Sequence, residues 1–416
     1  MKIKKLFFLS FILTIFITCC CVINPTYGSN NQDILNIYSD SVIIVENSTG
    51  KVLYEKNAEQ KMYPASTTKI VTAILAIEKG NLKDKTTVSR AAIAGMKPSY
   101  SSAYLVEGEI MSVEDLLKVL LVHSANDASN VLAEYISGSI EKFVSLMNQK
   151  VQELGCNNTH FVTTNGLHDD NHYTTAKDLS IIARYCMKNS AFRHIVSMKT
   201  CTIHATNKCG ERSYKNTNDL INTTSIYYYP YCVGIKTGYT SEAKNCLISA
   251  CTKNRMQLIA VVLGATYTDN NSSARYIDSK TLYEYAYNNY SFETIAKANS
   301  IIDTIEVRRA TNETKKLNLI LQNDITALIN NVNKNDISYE VNIDETLEAP
   351  IALNSVVGTV TYSIGGESYT ENLLASHTVE RDKSLITIIR IVFLILIVII
   401  FIILIIIILK KFKKKN

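Results

Sequence analysis

From Ile391 to Leu409 the sequence runs for nineteen residues without one polar side chain. As a helix rising 1.5 Å per residue, such a run is long enough for a hydrocarbon layer about 30 Å thick. Leu385 to Ile389 extend it past Arg390, and Lys410, Lys411, Lys413, Lys414 and Lys415 close it. A buried core helix has no reason to be apolar on every face and then end in five lysines. Lysines at the end of a span mark its cytoplasmic side, which puts the rest of the chain on the opposite face. The other terminus agrees. Met1-Lys2-Ile3-Lys4-Lys5 precedes an apolar run from Leu6 to Ile17, the basic and apolar regions of a secretory signal. That run is short for a retained span, and Thr26-Tyr27-Gly28 offers a cleavage site. Cys19-Cys20-Cys21 raises a lipidated cysteine as an alternative, although Thr18 before it matches poorly.

These ends account for the positive charge. Removing the five tail lysines and the three of the leader takes the formal net charge from +5 to about −3. Nothing in that balance calls for nucleic acid; the basic residues serve topology. Seven cysteines remain beyond the leader, an odd number without a C-x-x-C pair, which supports neither a zinc site nor a complete disulfide framework. A bridge from Cys201 to Cys209 across a hairpin stays open, and most of the others read as small buried apolar residues.

Between the ends the texture changes twice. Ser41 to Lys56 reads as two strands joined at Ser48-Thr49-Gly50. A helix is expected from Pro64 to about Lys79, stopped by Gly80-Asn81. Ser112-Val113-Glu114-Asp115 looks like a capping box, a further helix follows Asp127, and "TAKDLSIIARYCMK" is amphipathic from near Thr175. From Thr200 strands dominate, with an apolar hairpin turning at Lys253-Asn254 and a helix over "SARYIDSKTLYEYAYNNY". An antiparallel sheet flanked by helices, an α+β arrangement, assembles these most simply. After about Asn299 short strand-like segments alternate with polar turns, Gly365-Gly366 among them, and give a small all-β domain leading to the apolar run.

Chemistry enters at "MYPASTTKIVTAILAIEKG". Ser66 and Lys69 are three apart on the expected helix and so share a face. S-x-x-K alone means little, since Ser48/Lys51, Ser139/Lys142 and Ser241/Lys244 repeat it. Two further motifs give it weight: Ser124-Ala125-Asn126 in a break between helices, and Lys236-Thr237-Gly238 on a strand. In this order the three form the signature of active-site serine penicillin-recognising enzymes. A serine hydroxyl needs a base, and neither His nor Asp lies near Ser66 in sequence. Lys69 can serve if its amine is neutral, a shift from ~10.4 to near 7 that costs about 4–5 kcal/mol. Burial supplies part, and a second ammonium at ~4 Å supplies up to ~4 kcal/mol at an effective dielectric near 20. Lys236 is the expected second ammonium.

With these motifs the chain resembles the low-molecular-mass penicillin-binding proteins, the serine-type D-alanyl-D-alanine carboxypeptidases, over roughly Gln32 to Ser376. "PASTTKIVTA", "HSANDASNVLAEY", "THFVTTNGLHDDNHYTTAKDLSIIARY" and "GIKTGYT" carry the likeness. Val233 departs from it, standing where family members often have an acidic residue. The resemblance implies a penicillin-binding/β-lactamase-like transpeptidase domain over 32–290, a β-rich domain over 299–380, a transmembrane anchor over 385–409 and a basic cytoplasmic tail over 410–416, with a signal peptide over 1–28. It implies Ser66 as acyl-ester nucleophile, Lys69 as proton acceptor and Ser124 as proton relay. Asn126, Lys236, Thr237, Gly238 and Tyr239 would bind substrate, and the Ser66 and Tyr239 N–H groups would form the oxyanion hole. The implied partners are peptidoglycan stem peptides ending in D-Ala-D-Ala, with β-lactams as covalent inhibitors, and neither metal nor cofactor is required. The enzyme would work exported, anchored to the outer face of the membrane.

Other residues read more plainly. His168-Asp169-Asp170-Asn171-His172 suggests a metal site less than a polar loop at the rim. His123 is expected to pack locally. Tyr227, Tyr228, Tyr229 and Tyr231 read as loop or core packing, with a substrate-facing wall as the sharper alternative. A class A β-lactamase shares the three motifs but needs a glutamate for deacylation, and none occurs between Glu153 and Glu211. A non-catalytic β-lactam sensor would need an output domain, which the seven residues Lys410 to Asn416 cannot form. An inactive wall-binding scaffold has no use for an intact set of motifs.

Overall fold

The computed structural model describes residues 35–268, 270–331, 337–343 and 347–413. The expected signal peptide and the last three residues of the tail lie outside them. The chain divides into two units, the first running to Tyr283 apart from the turn Lys253–Met256, the second from Glu284 onward.

The first unit is built on a five-stranded sheet. β1 (Ser41–Glu46) and β2 (Val52–Lys56) form the expected hairpin. β3 (Cys232–Thr240), β4 (Lys244–Lys253) and β5 (Met256–Ala265) complete the order β2-β1-β5-β4-β3, with β1 antiparallel to β5. β1, β4 and β5 are buried along nearly their whole length, which is why their sequences are continuous apolar runs rather than alternating ones. β3 is one of the two edge strands, and it carries Lys236-Thr237-Gly238.

Helices cover this sheet. α1 (Lys69–Lys79) is buried from Lys69 to Ala76. The expected helix from Pro64 differs in its first turn: Ala65–Thr68 is a 3₁₀ turn, and the α-helix begins at Lys69. Residues i and i+3 eclipse in 3₁₀ geometry, so Ser66 and Lys69 are brought together more directly than an α-turn would bring them. α2 (Val113–Val122) starts at the capping box, where the Ser112 hydroxyl accepts from Asp115 N at 3.0 Å. α3 (Asn126–Ser137) follows after the break at Ser124-Ala125. α4 (Ile140–Glu153), α5 (Ala176–Cys186) and α6 (Ser190–Val196) pack around them, and Thr175 caps α5 by accepting from Asp178 N. One core of aliphatic side chains joins these helices to the sheet, among them Ile43, Ile70, Ile74, Leu117, Leu121 and Ile259.

A hairpin, Thr200–Ile203 with Arg212–Lys215, clamps the loop before α2. Arg212 pairs with Glu109, which is fully buried, and Arg212 and the Tyr214 hydroxyl both donate to Ala103 O. The Asp127 carboxylate holds the same loop from the other side, accepting from Ser102 Oγ, Ala103 N and Leu105 N. His123 packs locally on Tyr214, ring centroids 4.7 Å apart. Cys201 and Cys209 are thiols, not a bridge. Tyr227 stacks on Tyr276, and Tyr229 on Tyr283, as packing groups rather than a cleft wall.

α7 (Ala274–Asn289) leads into the second unit. There, β6 (Tyr290–Ala296) pairs with β9 (Ile325–Asn330), ahead of the boundary at 299 read from the sequence. The signal is hidden because Ser291, Glu293 and Thr294 interrupt the apolar residues of β6. β7 (Ile301–Glu306), β8 (Lys316–Leu321), β10 (Ile337–Ile343), β11 (Val356–Ile364) and β12 (Glu367–Ala375) form a sheet of order β7-β8-β12-β11-β10, with β11 and β12 joined at Gly365-Gly366. Leu317, Leu319, Leu321, Val360 and Leu373 fill its core. α8 (Ser384–Lys413) contains a segment, Ile386–Lys411, long and apolar enough to cross a membrane and not buried against protein.

Candidate active site

The 3₁₀ turn leaves Ser66 half-buried, while Lys69 is fully buried. Lys69 Nζ lies 2.8 Å from Ser66 Oγ, 2.6 Å from Asn126 Oδ1 and 2.6 Å from the main-chain oxygen of Asn165. The two carbonyl oxygens can only accept. A neutral amine has two N–H groups and one lone pair, so donation to both carbonyls leaves the lone pair for the Ser66 hydroxyl proton. Charge agrees with this geometry. Burial holds the Lys69 amine well below the ordinary lysine value, and the Lys236 charge pushes the same way against an opposing Asp127. Burial is the larger cause, and the second lysine reinforces it.

Ser124 and Asn126 sit in the break between α2 and α3. Ser124 is buried, and its backbone is left-handed at φ +69°, unusual for a residue with a Cβ. Asn126 reaches Lys69 through its side-chain oxygen. Lys236 is 1% exposed and donates to Thr237 O at 3.0 Å, and Thr237 Oγ1 lies 2.6 Å from Thr217 Oγ1. A Cβ on Gly238 would stand 3.0 Å from both Pro64 O and Ser66 N, so only glycine lets the edge strand approach the serine turn this closely. Tyr239 follows with 63% of its surface exposed.

Several contributors carry no motif. Arg275, at the start of α7, donates to Gly238 O at 3.4 Å and, after burial, is the cause that brings Lys236 down to about 7. Asn165 contributes a main-chain carbonyl, which no side-chain pattern reveals. The loop 162–172 also supports the serine turn. Gly166 has φ +83°, and a Cβ there would fall 1.9 Å from Ala65 O. The two histidines of the expected polar rim loop part company. His168 stacks edge-on against Tyr63 at 4.7 Å, whereas His172 is buried beneath the serine turn. Among the described residues, no three His, Cys, Asp or Glu side chains gather as metal ligands.

Burial brings the His172 imidazole down to about 3; Asp169 opposes this, and His160, Lys69 and His168 reinforce it. A histidine kept neutral by folding but free to charge when unfolded stabilises fully above the unfolded value of ~6.5 and loses that contribution as pH falls toward 3. The fold should therefore lose about 2 kcal/mol from this group between pH 7 and pH 5. Urea unfolding at the two pH values checks it, with His172→Gln expected to remove that part of the slope.

An α+β fold that holds a buried lysine against a serine, with S-x-N and K-T-G around them, defines an active-site serine peptidase of the penicillin-recognising class. The chain belongs to the D-alanyl-D-alanine carboxypeptidase family, whose model matches residues 28–267, and the C-terminal domain of penicillin-binding protein 5 matches 290–381. It is 33% identical to the D-alanyl-D-alanine carboxypeptidase DacF of Bacillus subtilis over 84% of this chain and 88% of the relative. Among solved structures, penicillin binding protein 5 of Haemophilus influenzae shares 29% identity at a TM-score of 0.63, covering 83% of this chain and 99% of that one. PBP3 of Streptococcus pneumoniae, a peptidoglycan synthesis regulatory factor, shares 26% at a TM-score of 0.68, covering 83% and 100%. The protein is thus a serine-type D-alanyl-D-alanine carboxypeptidase of peptidoglycan metabolism on a penicillin-binding fold.

Proposed function

We propose that Ser66 is the nucleophile and Lys69 its base. The observation that carries this is the placement of Lys69 Nζ between two obligate acceptors and Ser66 Oγ. The lone pair takes the hydroxyl proton as Ser66 Oγ attacks the carbonyl carbon of the penultimate D-alanine. The Ser66 and Tyr239 N–H groups receive the developing oxyanion. Ser124 passes the proton to the departing D-alanine nitrogen as the C–N bond breaks, leaving an ester on Ser66. Water then attacks the ester, giving its proton back through the same amine and freeing the shortened peptide and the serine hydroxyl. Asn126 holds the substrate amide, while Lys236 and Thr237, with Arg275 behind them, take the terminal carboxylate. A β-lactam would enter as the amide analogue and remain as the ester.

The segment Ile386–Lys411 would anchor the enzyme, with 32–290 and the β-rich unit outside the membrane, the lysines at the cytoplasmic end and the leader 1–28 removed on export. The test is release of D-alanine from a diacyl-Lys-D-Ala-D-Ala peptide, with mass mapping of the penicillin adduct. Ser66→Ala should lose release by about 10⁴-fold or more and lose the adduct, by analogy with removal of a nucleophile in other serine enzymes. Unchanged release, or an adduct elsewhere, refutes the assignment.

A further inference from the structure

The peptide joining Ala65 to Ser66 is unusually placed. Ala65 has φ +47°, a left-handed conformation that is unfavourable for a residue with a Cβ and persists only where its surroundings impose it. Because a peptide is planar and trans, its C=O and N–H point in opposite directions. Whatever fixes Ala65 O therefore aims the N–H of Ser66. Thr68 Oγ1 donates to Ala65 O at 2.8 Å, and His172 Nε2 stands 2.8 Å behind Thr68 Oγ1.

The direction of that second bond follows from the other ring nitrogen. His172 Nδ1 accepts from Val162 N at 3.0 Å and from Thr163 N at 3.2 Å. An atom receiving main-chain N–H groups carries no proton, so the single ring proton is on Nε2 and is donated to Thr68. The Thr68 hydroxyl is then committed to donating onward to Ala65 O. The ring is buried, packs against Phe161 with centroids 5.3 Å apart, and touches neither Ser66 nor Lys69 by hydrogen bond.

We infer that His172 is a positioning residue for the oxyanion hole, acting through the Thr68 hydroxyl to hold the Ala65–Ser66 peptide plane and so to aim the Ser66 N–H. The inference rests on Ser66 as nucleophile. It assigns a catalytic consequence to two side chains that touch no substrate. Loss of one aligned oxyanion donor costs about 10²–10³ in rate, and a misaimed donor keeps part of its effect.

The test uses the full-length enzyme in detergent, a fluorescent penicillin for the acylation rate and the diacyl-Lys-D-Ala-D-Ala peptide for turnover. Thr68→Val, which keeps the shape and removes the hydroxyl, should lower acylation and kcat about 10- to 100-fold with KM within about threefold. Thr68→Ser should restore most of the rate. His172→Phe should fall in the same range, and the double variant with Thr68→Val should be no slower than the slower single, because the two act in series. Should His172→Phe fail to fold, the Thr68 pair alone decides. The inference is overturned if Thr68→Val acylates within threefold of the parent, if Thr68→Ser is as slow as Thr68→Val, or if the double variant multiplies the two losses. An adduct mapped to a residue other than Ser66 in the parent overturns instead the reading beneath it.

Discussion

Replacing Lys69 by methionine should leave a folded enzyme that acylates about 10³- to 10⁴-fold more slowly, the range a positioned general base contributes. Methionine fills nearly the same volume and has no lone pair that can take the Ser66 proton. Asn126 Oδ1 and Asn165 O would each lose a donor, at about 1–3 kcal/mol apiece. Against this, the parent must keep a buried lysine amine well below its ordinary value, chiefly through desolvation, a standing cost that methionine does not carry. The two effects oppose each other, so the melting temperature should move by only a few degrees. Burst measurements with a chromogenic β-lactam, set beside thermal unfolding, check both halves. An enzyme that still acylates within tenfold of the parent would remove Lys69 from the mechanism.

The second large effect belongs to Lys236, and it separates stability from function. Lys236 is 1% exposed, its amine is brought down to about 7 by burial and by Arg275, and its hydrogen bond is to the carbonyl of the next residue. A lysine whose folded value lies below its unfolded one destabilises the fold whenever pH is below the unfolded value. The full penalty holds below about 7 and fades as pH rises toward 10.4, amounting to about 4–5 kcal/mol as an upper bound. Lys236→Met should therefore raise the stability at pH 6 by about 2–3 kcal/mol after loss of its hydrogen bond, and lower kcat/KM for the peptide by about 10²–10³-fold. If Lys236 receives the substrate carboxylate as proposed, kcat/KM of the parent for a peptide with a free terminal carboxylate should fall as pH rises past about 7, where Lys236 loses its charge. A substrate ending in an amide should not show that alkaline limb. A variant less stable than the parent, or an alkaline limb common to both substrates, would refute this account.

The distinction between what the sequence exposes and what it hides follows from how each group reaches the site. Ser66 and Lys69 are one turn apart, Ser124 and Asn126 share one break, and Lys236 to Gly238 are consecutive, so short-range geometry alone sets each pair. The α+β core was readable because β4 and β5 are long apolar runs and Ser112 and Thr175 mark their helices. Arg275, Asn165 and His172 arrive by tertiary closure. One acts through charge from 39 residues beyond Lys236, one through a main-chain oxygen that any residue would supply, and one from inside a stretch that reads as a polar loop. The same limit hid the early start of the β-rich unit at Tyr290 and the 3₁₀ turn under Ser66. Both depend on partners far along the chain, Ile325–Asn330 for the first and Gly166 with His172 for the second.

The left-handed backbone at Ala65 and Ser124 bears on how such a catalyst ages under mutation. Glycine adopts that conformation without the steric penalty of a Cβ, so drift at either position toward glycine relieves strain in the resting fold. At 124 the same exchange erases the hydroxyl, while at 65 it loosens the turn that presents Ser66. A laboratory lineage selected for heat resistance alone should accumulate such replacements and grow sturdier as it goes silent, so any stabilisation campaign on this scaffold needs a turnover screen at every round.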